Sequence, residues 1–314
     1  MSSAAIKPIE QEDAYVTRLP SGERWLERKD PVVWSEWRPG APLALDQVKK
    51  FERDGFLVLE DIFLPGEIDA LIEESARLRS DATKLHQESL VTEPGTDDVR
   101  TIFDLDLQSE VFSRLAEDVR ISEPVRFLLD DEIYVHQSRL NYKPGLTGKE
   151  FYWHSDFETW HAEDGMPRMR AISASILLTD NDALNGPLML MPGSQNTFIA
   201  CAGETPEDNH KTSLKQQKVG VPSAEALSKL AQDHGIEYAA GKKGTVILFD
   251  CNTMHGSNGN ITPYPRSNAF FVYNAWSNQL EAPFGAAKPR PNFLGRRNPE
   301  EPVTLREGHI ESTE

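Results

Sequence analysis

Phe151-Tyr152-Trp153-His154-Ser155-Asp156-Phe157-Glu158-Thr159-Trp160-His161 is the stretch on which the reading of this chain turns. It sets a His-x-Asp pair inside an aromatic run. In an extended strand, residues i and i+2 project to one face, so His154 and Asp156 reach a common point while Ser155 points away. Met254-His255-Gly256-Ser257 follows roughly a hundred residues later, and Arg266 lies beyond it. Two imidazoles and one carboxylate are the donor set of a mononuclear non-haem Fe(II) centre that keeps coordination positions open. A structural zinc site takes four ligands, commonly thiolates, and nothing here supplies them. An isolated His-x-Asp pair is usually surface or core decoration. Its weight comes from the aromatic flanks, the distant histidine and the arginine together. His161, Glu163 and Asp164 could also bind a cation, but Glu163-Asp164-Gly165-Met166-Pro167 looks like a turn, so they are expected as loop residues. His86, His136, His210, His234 and His309 have no such company and are expected as surface or satisfied core histidines.

Outward from this stretch, strand signals dominate. Glu132–Asn141, Arg170–Leu178, Pro187–Met191, Thr245–Phe249 and Asn268–Ala275 are rich in β-branched, aromatic or alternating residues, with a turn at Gly241–Gly244 before the fourth. Upstream the spacing is helical. Leu45, Val48 and Phe51 share a face, Pro65 opens a helix with Ile68, Leu71 and Ile72 together, and two more helices fit 110–130. Phe56–Leu59 reads as a short strand, residues 80–105 are polar and hard to assign, and Leu227 and Leu230 mark a helix over 223–233. Helices first, then many strands without βα alternation, predict a mainly β fold with flanking helices. The core expected is a double-stranded β-helix of the jelly-roll, cupin-like kind, with a metal held at its mouth.

The 314 residues carry a formal net charge of −17, which repels phosphate backbones and argues against nucleic-acid partners. No apolar run is long enough for a membrane helix, and the first residues lack a signal-peptide core, so a cytoplasmic protein is expected. The only two cysteines, Cys201 and Cys251, do not make a disulfide framework and are expected free and buried. Residues 1–42, with Pro31, Pro39 and Pro42, suggest an extended arm whose Trp25, Trp34 and Trp37 pack on the body or a partner chain. The expected division is an arm over 1–42, an oxygenase domain over 43–285 and a tail over 286–314.

The run from Phe151 to Ser173 closely resembles the signature of the ectoine hydroxylases, a branch of the phytanoyl-CoA dioxygenase-like Fe(II)/2-oxoglutarate oxygenases. The likeness extends through Gln137–Lys143, Leu188–Ser194 and Asn252–Asn274, and so spans most of residues 45–280. It implies a double-stranded β-helix core and a homodimer. The reaction implied is conversion of ectoine, 2-oxoglutarate and O2 to 5-hydroxyectoine, succinate and CO2, in the service of osmotic stress protection. His154, Asp156 and His255 are then the iron ligands. Arg266 suits the far carboxylate of 2-oxoglutarate, because a guanidinium fork meets a carboxylate through two parallel hydrogen bonds. The resemblance assigns Lys143 to the same cosubstrate, and Asn141, Ser173 and Ser257 could add neutral hydrogen bonds. Trp160 matches the position that stacks on the substrate's delocalised cation, Gln137 matches a substrate-binding position, and Phe270 could add a wall. Three alternatives stay open: hydroxylation of another small cyclic amino acid such as proline or a pipecolate, a non-catalytic ligand-binding jelly roll, and a zinc hydrolase.

Overall fold

The structure is a computed structural model describing residues 13–85, 87–93, 98–214 and 217–311; His86 and the start of the arm lie outside the described residues. Thirteen strands are described: β1 (Arg24–Glu27), β2 (Phe56–Leu59), β3 (Leu90–Thr92), β4 (Val99–Phe103), β5 (Ile133–Lys143), β6 (Phe151–His154), β7 (Ala171–Leu177), β8 (Leu188–Leu190), β9 (Thr197–Ala200), β10 (Glu237–Ala239), β11 (Val246–Asp250), β12 (His255–Ser257) and β13 (Arg266–Ala275). The helices are α1 (Leu45–Asp54), α2 (Pro65–Ser80), α3 (Leu105–Gln108), α4 (Glu110–Ala116), α5 (Val119–Leu129), α6 (Asp156–Thr159), α7 (His210–Ser213) and α8 (Ala224–His234).

Seven strands form one antiparallel sheet in the order β2-β11-β7-β13-β5-β4-β3, and four form a second in the order β10-β8-β12-β6. The central strands β7, β11 and β13 are buried along their whole length because both of their faces are covered. Leu248 and Phe271 join the core beneath the helices, with Phe51, Leu71, Phe112 and Val125. Their neighbours Phe249 and Phe270 turn the other way and pack with Leu188 and Leu190 of the smaller sheet. This is the expected jelly roll with helices on one side. No helix among the described residues is long and apolar enough to cross a membrane.

The long strands fall where β-branched and aromatic residues predict them, with β5 running on to Lys143 and β13 starting two residues early at Arg266. The polar stretch 80–105 supplies β3 and β4 at the sheet edge. Leu45 is 37% exposed, so the buried apolar face of α1 is carried by Val48 and Phe51, with Asp54 buried beside them. In α2, Pro65 stands in the first turn and Glu67 accepts from Leu64 N at 2.7 Å; its other oxygen accepts from Ile310 N. Helix α8 starts at a Ser223 cap accepting from Ala226 N.

The arm is extended, and β1 pairs with β9. Trp34 and Trp37 pack on the main core, whereas Trp25 stands 37% exposed. Cys201 and Cys251 are buried and free. The chain after residue 285 lies against the body: Leu294 is fully buried and Ile310 joins the main core.

Candidate metal centre

The two imidazoles come from directly opposed positions. In the β12–β6 ladder His255 faces His154, with an irregularity just after it. Opposed residues in an antiparallel pair hold their Cβ atoms about 4.5–5.5 Å apart, close enough for their rings to meet. The ring centroids are 4.3 Å apart. Asp156 arrives differently from the sequence expectation. Strand β6 ends at His154, Ser155 stays extended, and Asp156 is the first residue of α6. The i/i+2 strand geometry is therefore replaced by a strand-to-helix corner. Phe157 N donates to Cys251 O at 2.8 Å and Ser155 Oγ to Asn252 Oδ1 at 2.9 Å, which pins that corner.

Asp156 Oδ1 lies 3.6 Å from His154 Nε2, and Oδ2 lies 3.7 Å from His255 Nε2. One donor atom from each of the three residues fits within 4.8 Å of the others, the only such group among the described residues. His154 Nδ1 is 2.6 Å from Tyr152 O, and His255 Nδ1 is 2.9 Å from Thr253 O. A carbonyl only accepts, so each Nδ1 carries its proton and each Nε2 offers a lone pair to the common point. Burial opposes ionisation of Asp156, but the two imidazoles and Arg139 outweigh it and hold the carboxyl well below the usual range. Burial, with His154 beside it, lowers His255 to about 4, so that ring is neutral near pH 7. The donor set thus fits a divalent metal: one anionic oxygen, two oriented nitrogens, and an open side toward a cavity of about 920 Å³.

That cavity collects most of the residues singled out in the sequence. Gln137, Asn141, Trp160, Ser257, Arg266 and Phe270 all line it. Lys143 does not: it is 1% exposed, and its Nζ donates to Ser257 Oγ at 2.8 Å and to Asn258 O. Ser173 is also outside the lining; its Oγ faces Asp156 Oδ2 at 3.5 Å, so it is placed to steady the carboxylate. Asn141 Oδ1 is occupied by Thr101 Oγ1 at 3.0 Å. Gln137 donates to Leu294 O at 2.7 Å and accepts from Arg139. Trp160 is 2% exposed and meets His136 edge-on at 5.2 Å.

Two arginines were missed. Arg139 lines the cavity with its guanidinium 4.8 Å from the Phe270 ring centroid. Its signal was the period-two run Gln137, Arg139, Asn141, Lys143 on one strand face. Arg290 also lines the cavity, with Asp164 bound at 2.8 and 2.6 Å. Nothing in the sequence after 285 announces it.

His161, Glu163 and Asp164 are not loop residues. They sit in a π-helical turn, Trp160–Asp164, and all three are buried. Gly165 ends the turn at φ +83, where a Cβ would strike the Glu281 carbonyl. Each of the three is already engaged: His161 with Asp13 and Met166 O, Glu163 with Arg18, Asp164 with Arg290.

At the β5–β13 end the charges are unbalanced. Lys143 stands directly opposite Arg266, and like charges so placed repel. Burial together with Arg266 and Arg100 lowers Lys143 to about 6, and burial together with Arg100 lowers Arg266 to about 10. Arg266 Nη1 donates to Gly186 O at 2.6 Å. Among the described residues no carboxylate pairs with Arg266 or Arg139.

A jelly-roll cavity whose wall presents two imidazoles and a carboxylate to one point is the arrangement of the mononuclear non-haem iron(II) oxygenases. Comparison with known proteins narrows this class. Residues 51–268 match the phytanoyl-CoA dioxygenase (PhyH) family, and the chain belongs to that family. It is 56% identical over 295 residues to the ectoine dioxygenase of Sphingopyxis alaskensis, covering 94% of this chain and 96% of the relative. The structure of EctD from S. alaskensis with 2-oxoglutarate and 5-hydroxyectoine matches with a TM-score of 0.88 at 52% identity, covering 95% of this chain and all of that one. The same protein with bound Fe matches at 0.87 and 50% identity, with the same coverage.

Proposed function

We propose that this protein is an Fe(II)- and 2-oxoglutarate-dependent oxygenase that hydroxylates ectoine at C5, releasing 5-hydroxyectoine, succinate and CO2. The observation that carries the reading is the open triad in a cavity with unpaired cations at one end, in a chain this similar to an ectoine dioxygenase over nearly its whole length. His154, Asp156 and His255 hold the iron, and the Nδ1 hydrogen bonds to Tyr152 O and Thr253 O fix both rings for it. When bound, iron with 2-oxoglutarate and O2 supplies the oxidation, one oxygen atom going to succinate and the other to the substrate carbon.

The protein's own part is binding, orientation and exclusion of water. Arg266 receives the far carboxylate of the keto acid, replacing a carbonyl contact with a charge-assisted one. Lys143 acts on the same carboxylate from behind, through Ser257 and through its own field. Asn141 and Ser257 add polar wall, and Ser173 holds Asp156 in orientation. Trp160 offers its face to the delocalised cation of ectoine, Gln137 hydrogen-bonds the ring, and Phe270 closes the apolar side. Arg139, between Gln137 and Asn141 on the same strand face, is placed for a substrate carboxylate.

The test is succinate release and 5-hydroxyectoine formation by the purified protein with Fe(II), 2-oxoglutarate and O2, against a panel including proline and pipecolate. Ectoine-dependent succinate and hydroxyectoine in equal amounts are expected. A preference for another cyclic amino acid corrects the substrate, and turnover independent of O2 overturns the oxygenase reading. We further propose a homodimer, in line with the family resemblance, and a cytoplasmic location, in line with the absence of a signal-peptide core in the first residues; light scattering on the purified protein tests the mass.

A further inference from the structure

Arg18 comes from the N-terminal arm, yet it is buried against partners some 140 residues away. Its Nε and Nη2 donate to the two oxygens of Glu158 at 2.8 and 2.9 Å, and Nη2 also reaches Glu163 Oε1 at 3.0 Å. All three side chains are 2–3% exposed. Thr17 Oγ1 adds a bond to Glu158 Oε1 at 2.8 Å. Glu158 and Glu163 sit on the short helical stretch that carries Asp156 at its start and Trp160 in its middle.

A third segment meets the same cluster. Asn209 Nδ2 donates to Glu163 Oε1 at 2.8 Å, and Gln217 Nε2 to Thr159 Oγ1 at 3.3 Å. Gly220, at φ +72, sits so close that a Cβ there would strike Glu158 Oε2 and Arg18 Nη2. Asn209, Gln217, Lys218 and Val219 line the cavity, as do Thr159, Trp160 and Glu163. One guanidinium therefore joins the arm, the wall that bears Trp160 and the segment bordering the cavity, and it touches neither the triad nor the cavity itself.

We propose that Arg18 is a positioning residue for the substrate: by clamping Glu158 and Glu163 it sets the place of Trp160 and seats the bordering segment. This rests on the ectoine reading above. The arm then governs substrate affinity, while the metal and the keto acid are left alone: His154 and His255 sit on β6 and β12, the keto acid lies at β5 and β13, and Asp156, at the start of α6, is pinned separately by the bonds of Ser155 to Asn252 and of Phe157 to Cys251. A buried ion pair with only a structural part would change stability without singling out one ligand. The partly buried Glu67–Arg120 pair between α2 and α5 is such a case, and neither residue lines the cavity.

The test uses the full-length iron-loaded protein and four variants: Arg18→Ala, Arg18→Lys, Asn209→Ala and, as control, Glu67→Gln. KM for ectoine, KM for 2-oxoglutarate, hydroxyectoine formed per succinate, thermal stability, and the visible absorption of the anaerobic Fe(II)–2-oxoglutarate complex are measured. Arg18→Ala is expected to raise the ectoine KM about tenfold and lower the product-to-succinate ratio, as misplacement of a binding wall does. The 2-oxoglutarate KM and the visible band should stay within about twofold, since those interactions are untouched. Arg18→Lys recovers part of the loss, and Asn209→Ala raises the ectoine KM by about two- to fivefold at unchanged thermal stability. If Arg18→Ala does not fold, Arg18→Lys and Asn209→Ala decide. An unchanged ectoine KM, a parallel rise for both ligands, or the same pattern in Glu67→Gln overturns the proposal alone. A wild-type protein that releases no succinate with ectoine overturns the functional reading and this inference with it.

Discussion

The two sides of the cavity treat buried charge in opposite ways. On the side of the arm and the π-helical turn, every buried carboxylate has its cation: Glu158 and Glu163 share Arg18, Asp164 takes Arg290, and Asp250 takes Arg28 at 2.7 and 2.9 Å. At the β5–β13 end, Lys143 and Arg266 stand opposite one another, neither in an ion pair among the described residues, and burial with neighbouring cations lowers the pKa of both; Arg139, further along β5, has no ion-pair partner among them either. A buried charge without a partner is costly, so a fold that keeps several of one sign together keeps them for a ligand of the other sign. The saturated side reads as architecture, and the unsaturated side fits the anion-binding role proposed for it above. The triad stands between them.

The largest test acts where the two sides meet. Alanine in place of His154, Asp156 or His255 is expected to abolish turnover and iron loading together, read by metal analysis and succinate release. Wild-type iron content in all three would remove the triad assignment. Next comes the unsaturated end. Arg266→Ala should raise the KM for 2-oxoglutarate about a hundredfold, in keeping with loss of a buried charge pair, while protein stability falls little. Its counterpart on the saturated side, Arg28→Leu, should do the reverse, costing about 3–5 kcal/mol in denaturant unfolding because Asp250 is left buried without its counter-ion. If the two variants behaved alike, the contrast between the sides would be wrong.

A smaller effect is expected from Trp160→Ala, whose loss of cation–π stacking at roughly 0.5–2 kcal/mol predicts an ectoine KM raised by about two- to thirtyfold, with 2-oxoglutarate affinity kept. The last test is a pH slope, shallow over any one pH unit. Lys143 is lowered from 10.5 to about 6, so between those values the unfolded chain binds a proton that the folded one does not. Stability of the ligand-free protein therefore gains from this group as pH rises from about 6 toward 10.5, by at most about 1.4 kcal/mol per pH unit. Lys143→Met should lack that contribution, and saturating 2-oxoglutarate should shrink it by restoring the charge. Identical slopes in wild type and variant would show that Lys143 keeps its proton without an anion.

How much of this was legible follows from length and period. Strands β5, β7, β11 and β13 announce themselves because long β-branched and aromatic runs have few other ways to be buried. Strands β6 and β12 span four and three residues, too few for a period, although they carry both histidines. The chemistry of the His-x-Asp pair is visible in the sequence, but its geometry is not a strand's, since the chain turns a corner at Ser155. Glu163 and Asp164 looked like turn residues because charge in sequence says nothing of a cation arriving from residue 18 or 290.

By itself the sequence pointed to the donor set and the fold class, because these rest on residue types and on periods of a few positions, while the kind of ligand came from the family resemblance of the run around Phe151–Ser173. Only the folded chain decided that His154 faces His255, that Arg139 and Arg290 enter the cavity, and that the arm braces the wall holding Trp160. Those outcomes depend on strand register and on contacts between segments far apart in the chain, and a one-residue slip in register would turn the same side chains to the other face.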